Sequence, residues 1–337
     1  MDTIQVVIDR TTHAAVVQNL AEQLKAYYVF PDIAEQISIR LQKHLDDGVY
    51  ADITDGELFS ETLTGHLQEV NQDKHLRVFW FPAPRPELEG PMHQNQELLE
   101  EWRQQAQLDN YGLHKVERLP GNVGYLDIRA FHHPAWGGDT AVGAMNFLAN
   151  ANVLIVDLRK CGGGHPGMVA VISSYLFSDE SVHLNSLYWR TEDVTQQFWT
   201  LPYTPGKRFG DKPIYVLTSK DTFSGGEEFA YNLKTRQRAT LVGEVTGGGA
   251  HPGRGYRLHP HFEVFIPNGR AINPITGTNW EGSGVIPDIP IAQAQAFKVA
   301  YSLALKSIIE RIGEATSRPF NLLKEEAQVA LKDLEAA

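Results

Sequence analysis

The chain has 337 residues, 42% hydrophobic and 21% charged, the proportions of an ordinary globular protein large enough for two domains. A formal net charge of -11 without any long basic block argues against nucleic acid as a partner and bears mainly on solubility. The single cysteine, Cys161, excludes an intramolecular disulfide framework and a multi-cysteine zinc site.

The first 20 residues carry polar and charged groups throughout, so no signal peptide is read and a cytoplasmic protein is expected; an exported form with its signal removed would read the same way. No apolar run is long enough to span a membrane. Val16, Leu20 and Leu24 recur at helical spacing up to Tyr27-Tyr28, and Phe30-Pro31-Asp32 breaks the pattern. Pro31 suits the first turn of a second helix carrying Ile33, Ile37, Ile39 and Leu41. A third helix is expected over 58–70, with Phe59, Leu63 and Leu67 on one face. These stripes are core packing, and residues 1–72 read as a small helical domain. A polar turn over 71–75 leads to Leu76–Trp80, which alternates like a strand. Residues 82–97 hold four prolines and read as loop, and 98–110 as an exposed helix. The region 73–120 is thus expected to be strand and linker lining the cleft.

From 121 the texture changes. Strands are expected at 123–128, 153–157, 214–218 and 240–244, with an antiparallel one at 262–266. Helices are expected over 139–151, 168–177 and 227–233. Alternating strands and helices imply an α/β core over 121–312, followed by a helical tail over 313–337.

Candidate chemistry gathers at glycine turns. Ser224-Gly225-Gly226 lies between an apolar strand and a helix. A serine raised on such a turn can act as a nucleophile, with N–H groups of the helix start facing an anion. Ser224-x-x-Glu227 equally fits a capping box. Cys161-Gly-Gly-Gly164 also joins a strand to a helix. It matches neither the dinucleotide fingerprint nor the P-loop, and can serve as an oxyanion donor or as a plain tight turn. Thr246-Gly-Gly-Gly249 is a third cluster. Among the 13 histidines, neither His251, His259 and His261 nor His132 and His133 has zinc-site spacing, and they read as surface or satisfied residues. His75 stands in a polar turn ahead of an apolar strand. Glu281, beside Trp280 in a glycine-flanked loop, can orient a base or hold its own loop. Asp157 and Arg159 read as supports of the first glycine turn.

Four motifs in order, Asp157-Leu-Arg-Lys-Cys-Gly-Gly-Gly164, Phe223-Ser-Gly-Gly-Glu-Glu-Phe229, Gly243-Glu-Val-Thr-Gly-Gly-Gly-Ala-His-Pro-Gly253 and Trp280-Glu-Gly-Ser-Gly-Val-Ile-Pro-Asp288, together resemble the S41 peptidase family. The nearest branch is similar to interphotoreceptor retinoid-binding protein modules and the tricorn protease core. Tyr27-Tyr-Val-Phe-Pro31 resembles that family's helical N-terminal part. The resemblance implies a central mixed β-sheet with flanking helices, a ClpP/crotonase-like core, preceded by the small helical domain. It implies Ser224 as nucleophile, Gly163 and Gly225 as oxyanion donors, His75 as general base and Glu281 as the accompanying acid. Gly164, Gly248 and Gly249 are placed as substrate-binding positions. Which of Gly162, Gly163 and Gly164 donates stays open.

The carboxy-terminal processing branch of the family uses a Ser–Lys dyad, and its lysine position falls on Gly249, so Ser224 needs another base. Residues 76–120 are too few for the PDZ domain that branch usually inserts. The expected function is a serine peptidase acting through an acyl-enzyme, needing no cofactor and no metal. Its partner is a peptide or small acyl substrate. The alternatives are a carrier of apolar ligands such as a retinoid or fatty acid, and a hydrolase or acyl transferase of small amides or esters.

Overall fold

The computed structural model describes residues 7–85, 96–178, 181–314 and 317–336, so most of the loop expected over 82–97 lies outside the described residues. The chain divides into two compact units, each assembled from three stretches of sequence. The first comprises Met1–Glu100, Leu187–Gln196 and Gly249–Ile272; the second comprises Glu101–Ser186, Gln197–Gly248 and Asn273–Ala337.

In the first unit, helices α1 (Arg10–Tyr27), α2 (Pro31–Asp46) and α3 (Gly56–Asn71) begin where the sequence supplies a start. Asp9 accepts the Thr12 N–H at 2.8 Å, Pro31 occupies the first turn of α2, and Asp55 accepts the Leu58 N–H at 2.8 Å. The helical part is completed by an antiparallel sheet, strand β1 (Arg77–Trp80) pairing with β10 (Phe262–Pro267), which pairs with β9 (Gly253–His259). Val16, Leu20, Leu24, Ile37, Phe59 and Leu63 pack in one cluster with Leu258, Phe262 and Val264. Burying each such large side chain contributes roughly 1.5–3 kcal/mol. The strand expected at 262–266 is antiparallel as read, but its sheet is this one and not that of the α/β core. Strand β11 (Gly269–Ile272) closes this unit's third stretch.

The second unit is built on a six-stranded sheet. Its order is β12 (Ile289–Pro290), β8 (Thr240–Gly243), β7 (Ile214–Thr218), β4 (Val153–Asp157), β3 (Val123–Ile128) and β2 (Leu113–Leu119). Strands from β12 to β3 run parallel, and β2 is antiparallel at one edge, so the sheet is mixed as expected. β4 is buried along its whole length, which explains its unbroken Val-Leu-Ile-Val run. Helix α8 (Gln293–Ile312) lays Ala296, Ala300, Ala304 and Leu305 against Val123, Val153, Ile155, Leu217 and Val242. Helix α9 (Arg318–Ala336) adds Ala327 to the same cluster. Helices α5 (Pro134–Leu148), α6 (Pro166–Ser174) and α7 (Gly225–Thr235) follow β3, β4 and β7 in the chain. Helix α4 (Gln96–Leu108) and strands β5 (His183–Trp189) and β6 (Val194–Trp199) run through the sequence boundaries between the units.

The sheet topology decides where chemistry can sit. β4, β7 and β8 are adjacent and parallel, so the turns that leave their carboxyl ends emerge along one edge. Those turns carry the glycine clusters at 161–164, 224–226 and 246–248. The carboxyl edge of a parallel sheet is where open α/β folds bind ligands. Among the described residues, no helix is long and apolar enough to cross a membrane.

Candidate active site

Ser224 is the N-cap of α7 and has φ 51° and ψ -119°. A side chain other than glycine is strained by about 1–3 kcal/mol in such a conformation, and strain of this kind collects at functional turns. The surroundings hold it there. Phe223 N–H donates to Cys161 O at 2.9 Å, Gly226 N–H to Phe223 O at 2.9 Å, and Glu228 N–H to Ser224 O at 2.9 Å. The Thr222 hydroxyl donates to Leu158 O at 2.8 Å, tying the turn after β7 to the turn after β4.

Gly163 meets this turn directly. A Cβ built on it would stand 2.7 Å from Ser224 Cβ and 2.8 Å from Gly225 N, and its φ is +106°. Only glycine combines that backbone with that approach. The Gly162 N–H donates to Arg129 O at 3.0 Å, and Gly164 is bridged to Phe131. Burial pushes the Cys161 thiol up to about 12, a shift that the Gly163 N–H partly opposes. At neutral pH this thiol is neutral and inert beside the serine turn.

The residue that binds the turns together is Glu227. Its fully buried carboxylate accepts the Ser224 N–H at 2.9 Å, the Gly248 N–H at 2.6 Å and the Thr246 hydroxyl at 2.5 Å. Thr246 Oγ1 in turn accepts the Val285 N–H at 2.7 Å. One acid thus fixes the serine turn, the third glycine cluster and the loop after Glu281. The sequence offered only the capping-box half of this role. Its remaining partners lie 19 and 21 residues downstream, where no local rule connects them.

Glu281 sits in a loop held by its own backbone. Its N–H donates to Asn279 Oδ1 at 3.0 Å, Gly282 N–H to Gly248 O at 3.0 Å, and Gly284 N–H to Trp280 O at 2.9 Å. Trp280 is buried, its ring 5.3 Å from that of Tyr231 on α7. The second unit therefore brings Ser224, Gly163, Gly164, Gly225, Gly248 and the Glu281 loop together. Asp157 and Arg159 support the turn as expected: Arg159 Nη2 donates to Asp157 Oδ2 at 2.6 Å and Nη1 to Gln293 O at 2.8 Å.

His75 and Gly249 belong to the first unit. α3 ends on Gln72 in the left-handed conformation, φ 59°, which turns the chain sharply into Asp73-Lys74-His75. His75 N–H donates to Asp73 Oδ1 at 3.0 Å. The same carboxylate accepts Tyr28 Oη at 2.9 Å and lies 3.0 Å from His251 Nδ1, both at Oδ2. Burial lowers the His75 imidazole to about 4; Asp73 opposes the shift and His251 adds to it. His251, read from sequence among the surface or satisfied histidines, is a satisfied one: it is 5% exposed, with Nδ1 facing Asp73 Oδ2. Its only sequence signal was the motif that contains it. His133 is a satisfied helix cap, accepting the Ala135 N–H at 3.1 Å, and His261 Nδ1 lies 2.8 Å from Phe81 O.

The sequence model of peptidase family S41 matches residues 122–291, half of the chain. The chain belongs to peptidase family S41. A second model, the N-terminal domain of Peptidase_S41 in eukaryotic IRBP, matches residues 2–110 of this S41 chain. S41 members are serine peptidases, and peptides are the substrate class. Solved structures show the same fold at low identity. A putative peptidase from Parabacteroides merdae ATCC 43184 superposes with a TM-score of 0.59 at 18% identity, over 87% of this chain and 96% of its own. Mature CPAF gives 0.58 at 12% identity, over 85% and 94%. Tricorn protease gives 0.53 at 13% identity, over 96% of this chain and 37% of the larger protein.

Proposed function

We propose that this S41 peptidase cleaves peptide bonds through an acyl-enzyme formed on Ser224. The observation that carries the reading is the strained Ser224 turn, packed against Gly163 at the head of α7. In this reading His75 removes the Ser224 proton as Oγ attacks the scissile carbonyl. The Gly163 and Gly225 N–H groups receive the oxyanion, and the start of α7 adds its dipole. His75 then gives the proton to the leaving amine. Water, deprotonated by the same imidazole, releases the acyl group and restores the serine. Glu281 polarises the site, and Gly164, Gly248 and Gly249 leave room for substrate backbone. The lowered proton affinity of His75 keeps it neutral at pH 7, the form a base requires.

The test is Ser224→Ala. Turnover of a quenched fluorogenic peptide library and labelling by a fluorophosphonate should both vanish, with the thermal transition retained. Undiminished turnover in this variant rejects the mechanism.

A further inference from the structure

His75 does not stand alone in the first unit. Asp73 divides its two oxygens: Oδ1 accepts the His75 N–H at 3.0 Å, while Oδ2 accepts Tyr28 Oη at 2.9 Å and faces His251 Nδ1 at 3.0 Å. Asn71 Nδ2 donates to Tyr28 Oη, and Asn71 Oδ1 accepts the Asp73 N–H at 3.3 Å, which fixes Tyr28 and Asp73 from the end of α3. Asp73 is fully buried, Tyr28 likewise, and His251 nearly so. The His251 ring meets the edge of Phe30 with centroids 5.3 Å apart.

An ionised carboxylate only accepts hydrogen bonds, so the His251 nitrogen facing it carries the proton. This is how an acid orients a histidine in hydrolase sites. Here, however, the acid's other oxygen goes to the main chain of a second histidine. Three elements contribute: the end of α1, the turn after α3 and the segment before β9. Ordinary loop stability does not require a buried acid–imidazole pair, and such a pair is costly unless its charge is used or fully compensated.

We propose that Tyr28, Asp73 and His251 form a positioning device for His75, in which Asp73 fixes the His75 main chain and His251 sets how much of the Asp73 charge His75 senses. The inference rests on His75 being the base of the peptidase reaction. Among the described residues of the first unit, the titratable groups that shift His75 are Asp73 on its own turn and His251 on the segment before β9, and β10 presents the Phe265 ring, 6.0 Å away. Asp73 attracts a proton to His75, and a protonated His251 repels one. The two partners therefore pull in opposite directions, and it is the coupling of these shifts to Ser224 labelling that separates a positioning role from a merely structural one.

The experiment has two readouts on the full chain. The first is NMR titration of His75 in histidine-labelled protein carrying Ser224→Ala, with His75→Gln assigning the resonance. The second is the pH dependence of fluorophosphonate labelling in the protein that retains Ser224. His251→Ala should raise the His75 midpoint and Asp73→Asn should lower it, each by about one unit. His251→Asn keeps an amide donor for Asp73 without a titrating charge. It should recover most of the labelling rate that His251→Ala loses, about tenfold or more, while its His75 midpoint stays raised. It also serves if His251→Ala does not fold. Midpoints that stay put, or that move the same way in the His251 and Asp73 variants, overturn the device. Midpoints that move as stated while Ser224 labelling fails to follow them uphold the device and remove His75 from the base role.

Discussion

The Glu227 carboxylate receives the Gly248 N–H at 2.6 Å with one oxygen and the Ser224 N–H at 2.9 Å with the other. A buried acid one helical turn past the serine therefore sets the distance between two glycine-rich turns. Removing it should loosen the serine turn and leave buried donors unmatched. We expect Glu227→Ala to cost about 3 kcal/mol of stability, the scale for losing charge-assisted bonds in a dry site. Peptide turnover should fall further than stability alone accounts for. Urea unfolding and kcat measured on the same preparation check both.

Gly163→Ala places a methyl 2.7 Å from Ser224 Cβ on a backbone with φ +106°. The substitution should displace the turn proposed to carry the oxyanion N–H. A loss of about 100-fold in kcat is expected, with KM changed little, because such donors act on the transition state. Gly138→Ala, where the added Cβ meets nothing within 4 Å, is the matched control and should be neutral. Steady-state kinetics on both variants distinguishes the effect from helix propensity.

The His75 imidazole, lowered from 6.5 to about 4, fixes the sign of two pH effects. As the proposed base it is competent once neutral, so the acid limb of kcat/KM should lie near pH 4 and not near pH 6.5. For stability, the unfolded chain takes up the proton first as pH falls below 6.5. The native state is then destabilised down to about pH 4, below which both states are protonated and the effect saturates. A pH–rate profile and chemical denaturation across pH 4–8, each repeated with His75→Gln, isolate the contribution.

Glu228 behaves in the opposite sense. Burial in α7 raises its carboxyl from 4.5 to about 7, against the smaller pull of the Asn185 and Asn232 amides. The native state therefore keeps its proton while the unfolded state ionises above pH 4.5. Stability from this group is intact below pH 4.5 and declines as pH rises through about 7. Glu228→Gln should abolish that decline and stabilise the protein by a few kcal/mol at pH 8. Thermal melts of both proteins between pH 5 and pH 8 should converge at the acidic end.

Much of the second unit was legible. The apolar runs at 123–128, 153–157 and 214–218 are buried strands, and a fully buried parallel strand leaves an unbroken signal. β2 escaped because Leu113-His-Lys-Val-Glu-Arg-Leu119 buries only Leu113, and an edge strand exposed along its length resembles a polar linker. β6 escaped for the same reason, its only buried residue being Phe198. The serine turn and its glycine neighbour were visible as motifs because their constraints are local. Glu227 as a three-way clamp and His251 as a partner of Asp73 were not. Those contacts join positions 21 and 178 residues apart, and a lone sequence carries no record of which distant polar groups share a dry interior.

The first unit's interior is completed by Leu258, Phe262, Val264 and Ile266, which lie far downstream of the helices they cover. During synthesis, α1 to α3 leave the ribosome long before that lid of sheet exists. Val16, Leu20, Phe59 and Leu63 must stay unsealed while most of the second unit is made. The order of translation therefore delays the setting of the histidine turn until His251 and the strands after it have been made, and a chain cut short before residue 251 lacks the His251 partner of Asp73.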